Sequence, residues 1–369
     1  MPHEQLATQI EKTGFVLENR IAQQLKAARW TVISNRYYVD DAEESIREID
    51  LIAYRVSRIQ HFDVYTTLII SCKKSDVNAW ALLARDIDLK DPNSDWQPLH
   101  AWTNDKALAF QLGSPGFAKR YHEQVSQLGV RDALQTPEVE VFAFQEMNKV
   151  SGAPQNDKNI FSAVTSLMKA QAYELGALPQ RKKKPSIYQF NLLSVVDAEL
   201  FRLMFSGQTI EATSVDAEHY IARYIIRKRE TFSRIRFLRA NKFAQALSDY
   251  GNLHQANCQR FAHECTSFYD DIVQDSTRIQ ALIEEFRKEV GWYVSWRLEH
   301  NGQKPVQPSS IYLHWDKSKK SLEVSGPFGM GGESDLNNDA RAKDYVAKAL
   351  QKIYRYTGRF KFEDDDIPF

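Results

Sequence analysis

The amino-acid sequence predicts an α/β fold, and three observations carry that prediction. Across residues 5–28 the apolar side chains Ile10, Leu17, Ile21, Leu25 and Ala28 recur at three-, four- and seven-residue steps, the period of an amphipathic helix. Three runs of strand length and composition follow, at 30–39, 46–55 and 64–73. Residues 157–175 then return to helical periodicity behind a capping Asn156 or Asp157, with extended chain beyond. Helix and strand in alternation build a layered core.

The intervening elements are read in the same way. Helical segments are expected in parts of 77–135, interrupted by Pro92, Pro98, Gly113, Pro115 and Gly116. Residues 138–144 alternate as a strand does, 179–185 form a basic loop, and 186–204 and 221–238 are rich in β-branched and aromatic residues. The core therefore runs over residues 1–250. Beyond it, helical 267–290, short strands at 292–299, 310–315 and 321–325, and helical 338–356 predict a smaller α+β module over 251–357. Residues 358–369 remain as an acidic tail. There is no internal repeat and no low-complexity tract.

Composition narrows the class. With 43% hydrophobic, 26% charged and 12% aromatic residues, the 369-residue chain has globular rather than disordered values. No apolar run approaches the roughly 18 residues a membrane span needs, and Met1-Pro2-His3-Glu4 lacks the layout of a secretory signal. Cys72, Cys258 and Cys265 are too few for a disulfide framework, so a cytoplasmic protein is expected, with a homo-oligomer left open. The 48 basic and 48 acidic side chains cancel, leaving only local asymmetries to indicate a partner. One is basic: residues 181–242 hold 13 Lys and Arg against 6 acids, including Arg181-Lys182-Lys183-Lys184 and Arg227-Lys228-Arg229.

Strand alternation places Asp50, Ile52 and Tyr54 on one face of the second run, and Ser71 and Lys73 on one face of the third. If those runs pair, an aspartate and a lysine meet at one end of the sheet. Glu18 lies between Gly14 and Ala22 on the first helix, a small-residue stripe that lets the helix approach closely and turn Glu18 to the same end. Carboxylates that hold a divalent cation, beside a lysine that stabilises developing negative charge, are the equipment of phosphodiester hydrolysis.

In its order of Gly14-x-x-x-Glu18, then Asp50 inside an apolar strand, then Ser71-Cys72-Lys73, the chain resembles the PD-(D/E)xK superfamily of restriction-endonuclease-like nucleases. The resemblance covers roughly residues 10–175 and implies a mixed sheet flanked by helices. It also implies that Asp50, Glu18 and the backbone carbonyl of Cys72 hold Mg²⁺ or Mn²⁺, that Lys73 is the catalytic cation, and that Lys74 contacts phosphate. The chain departs from the pattern at Ser71, where the superfamily has an acid. Two functions follow as alternatives: a metal-dependent DNA nuclease in bacterial repair or in defence against phage and other foreign DNA, or an inactive nuclease fold that grips DNA.

The end of the sequence, Asp364-Asp365-Asp366-Ile367-Pro368-Phe369, resembles the acidic tip of bacterial single-stranded DNA-binding protein. That resemblance implies docking onto proteins that recognise the tip, or competition with it. A terminal ring fills an apolar pocket, its carboxylate meets a cation, and the aspartates meet a basic rim. Arg227, Lys228 and Arg229, with Tyr224, Phe232 and Phe237 nearby, are candidate DNA contacts. Two weaker signals remain: His254, Cys258, His263 and Cys265 in one helical stretch, without a standard zinc spacing, and the glycine-rich residues 326–332 ahead of a helix, without a P-loop ending.

Overall fold

The computed structural model describes residues 3–11, 13–40 and 44–365. In chain order these form helices α1 (His3–Ile10) and α2 (Gly14–Ala27), then strands β1 (Thr31–Val39), β2 (Ile46–Ile59), β3 (Phe62–Lys74), β4 (Asn78–Asp86) and β5 (His100–Thr103). Next come α3 (Lys106–Leu112), α4 (Phe117–Gln127), β6 (Val139–Asn148) and α5 (Lys158–Arg181). Strands β7 (Ser186–Asp197), β8 (Leu200–Ser206), β9 (Thr209–Ser214), β10 (Ala217–Ile226) and β11 (Arg229–Arg239) precede the long helices α6 (Phe243–Tyr269) and α7 (Ser276–His300). The remainder is β12 (Tyr312–Asp316), β13 (Ser321–Gly326), α8 (Gly332–Asn338), α9 (Ala340–Tyr354) and β14 (Phe360–Asp364).

The chain falls into two compact units, Met1–Asp105 with Ser114–Ala262, and Lys106–Gly113 with His263–Phe369, the division lying inside α6. In the first unit a mixed sheet runs β1-β2-β3-β7-β11-β10. Strands β1, β2 and β3 are antiparallel neighbours, whereas β3, β7 and β11 are parallel to one another. The β7 strand is buried along almost its whole length, as a central parallel strand with both faces covered must be. Its far edge is shared, with β5 against its first half and β11 against its second. A second sheet, β6-β4-β8-β9, is built from the chain on either side of α5.

Apolar spacing explains the layers. Leu17, Ile21, Ala22 and Leu25 give α2 one buried stripe. The α5 residues Ile160, Ala163, Val164, Leu167 and Met168 share one core cluster with Ile52, Ile69, Leu192, Ile235 and Phe237 of the sheet. At about 25 cal/mol per Å² of apolar area, each of the larger side chains in this cluster contributes roughly 1.5–3 kcal/mol. In the second unit α7 starts at Asp275, whose carboxylate accepts from the N–H groups of Thr277 and Arg278. Its buried face packs with α9, and β12-β13-β14 form a three-stranded sheet.

Four stretches differ from their sequence expectation. Residues 78–86, within the 77–135 stretch expected to be helical in parts, form β4, held between β6 and β8. The helix α5 passes through Pro179 to Arg181, into the stretch read as loop. Residues 292–299 are the second half of α7 and not a strand. Residues 360–364 pair with β13 in parallel, so the acidic segment begins in a sheet.

Candidate metal centre at the sheet end

Strands β2 and β3 are paired as far as Leu51↔Ile70, while β3 continues beside β7 to Lys74↔Asp197. The site stands where these two ladders part. The next rung outward sets Asp50 against Ser71, and the side chain of Asp50 occupies the opening. Its Oδ2 accepts the backbone N–H of Cys72 at 2.6 Å and lies 3.4 Å from the Ser71 hydroxyl, which donates to it. Ser71 is 1% exposed and Asp50 is half-buried, so the carboxylate is anchored from below and open from one side.

Electrostatics bring further groups together. Burial raises the carboxyl of Asp50 above its ordinary value and Glu48 adds to this, while Lys73, the Cys72 N–H and the Ser71 hydroxyl pull it down. Glu18 of α2 is raised by burial, then by the charges of Asp50 and Glu48, against the pull of Lys73. The Cys72 thiol is pushed well above its usual range, first by burial and then by Asp50 and Glu18, which makes it a packing residue and not a nucleophile. Three carboxylates thus repel one another around a single ammonium group.

The sequence-derived residues Asp50, Ser71, Lys73 and Glu18 are therefore gathered at one sheet end, together with the Cys72 backbone. Lys74 is at the same end, but its Nζ donates to the Glu11 carbonyl at 2.9 Å and lies 3.5 Å from Asp76. Two participants went unread. Glu48 is two residues before Asp50 and on the same strand face, a signal that alternation contains; its Oε1 accepts from the Asn35 amide at 2.5 Å. Arg20, two residues after Glu18 on α2, pairs with Asp197 of β7 at 3.1 Å, and only the tertiary fold reveals that contact.

Beside this end lies a cleft of about 260 Å³ whose walls include Ser75, Lys149, Asp197, Glu199 and Arg239. The register places Lys73, Val196 and Arg239 in one row across β3, β7 and β11. The carboxyl ends of these parallel strands are where open α/β sheets bind ligands.

The oxygen donors of Asp50, Glu18, Ser71 and the Cys72 carbonyl are of the kind a hard divalent cation takes, whereas Glu18, Glu48 and Asp50 do not converge into one close carboxylate cluster. The raised carboxyls fit it too: burial lifts both Glu18 and Asp50, the charges of Asp50 and Glu48 add to Glu18 and that of Glu48 to Asp50, and a cation would relieve that repulsion.

Elsewhere the candidates separate. Arg227 and Lys228 form the β10–β11 turn with φ of 50° and 62°, the two left-handed residues of a primed hairpin turn without glycine. Arg227, Lys228 and Arg229 are all exposed, and the Arg227 guanidinium fills the space where a side chain on Gly176 of α5 would stand. Much of the remaining basic segment is neutralised at home: Arg181 by Glu174, Arg202 by Glu218, Arg223 by Glu230, and Arg239 and Lys242 by Asp216. His254 and Cys258 do face each other on α6, at 3.8 Å, but the imidazole also bonds Ser57 at 2.9 Å and Thr66 at 3.1 Å, as a packed core histidine does. At the end of β14 the Asp364 carboxylate accepts the Phe328 N–H at 2.9 Å and the Asp365 N–H donates to the Gly326 carbonyl. Asp366, Ile367, Pro368 and Phe369 lie outside the described residues. Among the described residues no helix is long and apolar enough to cross a membrane. No family model, curated protein or solved structure matches the chain.

Proposed function

We propose that the chain is a metal-dependent DNA nuclease of the restriction-endonuclease-like kind. The observation that carries the reading is the Asp50 carboxylate, fixed by the Cys72 N–H where β2 parts from β3, with Lys73 and two further carboxylates in electrostatic reach. Element order supports it as well: α2, three antiparallel strands, then α5 and a strand parallel to β3 is the core such enzymes use. Asp50, Glu18 and the Cys72 carbonyl would hold Mg²⁺ or Mn²⁺, with the Ser71 hydroxyl beside Asp50. When bound, such an ion lowers the pKa of water and polarises a phosphoryl oxygen. Lys73 stabilises negative charge developing on the phosphate, and Ser71 orients Asp50 through its hydroxyl.

Ser71 favours a second reading. A neutral hydroxyl in place of an acid weakens the grip on a hard cation, which suits an inactive nuclease fold that binds DNA. The two are separated by incubating the protein with single-stranded, duplex and forked DNA, with Mg²⁺, Mn²⁺ or a chelator. The nuclease reading expects metal-dependent cleavage that falls by more than about 100-fold in Asp50→Ala, given that even groups supporting a metal ligand are worth 10–100-fold. DNA binding with no cleavage under any metal leaves the binding protein.

The tail belongs to the same proposal as a dock for proteins that read the tip of single-stranded DNA-binding protein. A peptide of residues 361–369 should displace that tip from at least one such protein, and loss of the Phe369 ring should weaken docking roughly ten- to a hundredfold. A peptide that competes with none of them removes the tail from the function.

A further inference from the structure

The partner strand of β7 changes at one point: His100 of β5 pairs with Phe190 and Ile235 of β11 pairs with Leu192, leaving Asn191 at the seam. A cavity of about 20 Å³ sits there, lined in part by His100, Gln189, Asn191, Tyr250, Arg234 and Arg236. The two arginines are only 8% and 7% exposed. Arg236 reaches the Asp249 carboxylate at 3.3 Å, while Arg234 donates one bond, to the Trp96 carbonyl at 3.3 Å. The Nε and Nη1 atoms of Arg234 and the Nε of Arg236 have no partner among the described residues.

A buried guanidinium without a counter-charge is among the least tolerable arrangements in a protein, and a buried donor without an acceptor is rare. Other charges near the pair do not resolve it. Asp95 acts on Arg234 only at a distance beyond an ion pair, and Tyr121 and Tyr250 have hydroxyls whose pKa burial raises, so both stay neutral. Two cations therefore share one close carboxylate.

We infer that this seam cavity is a binding site for one monovalent, halide-sized anion, with chloride as the ligand present in cells. Its volume decides the class, since roughly 10–15 Å³ is needed for one water-sized sphere. A cavity of about 20 Å³ suits a single small ion and leaves no room for a nucleotide. A water molecule fits by size but leaves one positive charge uncompensated. Chloride accepts from one free edge of the Arg234 guanidinium and from the Nε of Arg236, and it cancels that charge. The inference does not depend on the nuclease reading.

The full chain provides the test. Crystals soaked in sodium bromide should show a bromine anomalous peak between the Arg234 and Arg236 guanidinium groups. At constant ionic strength, replacing gluconate by chloride should raise the melting temperature by about 2–4 °C. Arg234→Met should lose that response and melt in gluconate no lower than the parent, because it removes the unpaired charge. Should that variant fail to fold, the bromide soak and the anion exchange on the unaltered protein decide alone. A seam without anomalous signal, meaning water only, or a melting temperature indifferent to chloride, overturns the site.

Discussion

The sheet end and the β10–β11 hairpin are both places where like charges crowd, and they handle the crowding in opposite ways. At the sheet end Glu18, Glu48 and Asp50 stay partly open to solvent around Lys73, so their repulsion can be relieved from outside by a cation. On the hairpin the cations are divided: Arg227, Lys228 and Arg229 are exposed, while Arg234 and Arg236, a few residues along the same strand, are enclosed. A charge count over residues 181–242 cannot make that distinction. Depth, and not net charge, decides which cations can meet a nucleic acid.

The largest effect that sharpens this comparison concerns DNA affinity. Each phosphate contact adds about 0.9 to the slope of log affinity against log salt. Because the guanidinium of the exposed Arg227 lies against Gly176 of α5, Lys228 and Arg229 should carry the phosphate contacts. Replacing both by Gln should lower the slope by about 1.8, and adding Arg227→Gln should change it no further. A slope that falls by the same step with Arg227→Gln alone would show that the turn presents all three cations to DNA. An unaltered slope in the double variant would place the DNA elsewhere, with the cleft of Lys149 and Arg239 as the next face to test.

How legible these regions were follows from what each one rests on. The β1, β2 and β3 runs and helix α5 were readable because their apolar periodicity is also their packing. The period-two reading of Asp50, Ser71 and Lys73 led to groups that are indeed gathered at one sheet end, and extending it two residues back would have included Glu48. In contrast, β4 reads Asn-Ala-Trp-Ala-Leu-Leu-Ala-Arg-Asp, a run rich in helix formers, and pairing with β6 and β8 overrides that preference. The reverse happened at Trp292, Tyr293, Val294 and Trp296, β-formers carried inside α7 because Val290, Val294 and Leu298 bury one face of it. The seam at Asn191 had no sequence signal, since it arises from which strands happen to flank β7.

A smaller effect tests whether the enclosed part of the first unit is as dry as the hairpin comparison requires. Burial holds His122 and His219 down to about 3 and His254 to about 4. An unfolded histidine titrates near 6.5. Between those values the unfolded chain binds more protons than the folded one, so stability rises with pH across the window. The contribution is complete above about pH 6.5 and is lost as the pH falls toward about 4. Urea midpoints measured at pH 7, 6 and 5 should decline in that order, with a shallower decline in His254→Gln. Equal midpoints at pH 7 and pH 5 would mean that these imidazoles are hydrated.

The smallest expected effect bears on the open side of the comparison, the sheet end itself. Ser71→Asp puts a fourth carboxylate beside Asp50, at a position that is 1% exposed and 3.4 Å from its oxygen. Without metal the added repulsion and desolvation should lower the melting temperature by a few degrees, taking about 1 kcal/mol as 2–4 °C for a unit of this size. With Mg²⁺ the sign should reverse, because a carboxylate is a stronger ligand for a hard cation than a hydroxyl and the ion cancels the repulsion it meets. The stabilisation by Mg²⁺, measured as melting temperature with and without the ion, should therefore be larger in Ser71→Asp than in the parent chain, and cleavage should be preserved or raised. Lys73→Gln provides the control, since removing the ammonium group leaves the carboxylates in place and should also increase the response to Mg²⁺ while cleavage is lost. If neither variant responds to Mg²⁺ more than the parent does, the repulsion at this sheet end is relieved by solvent, and no cation is held there.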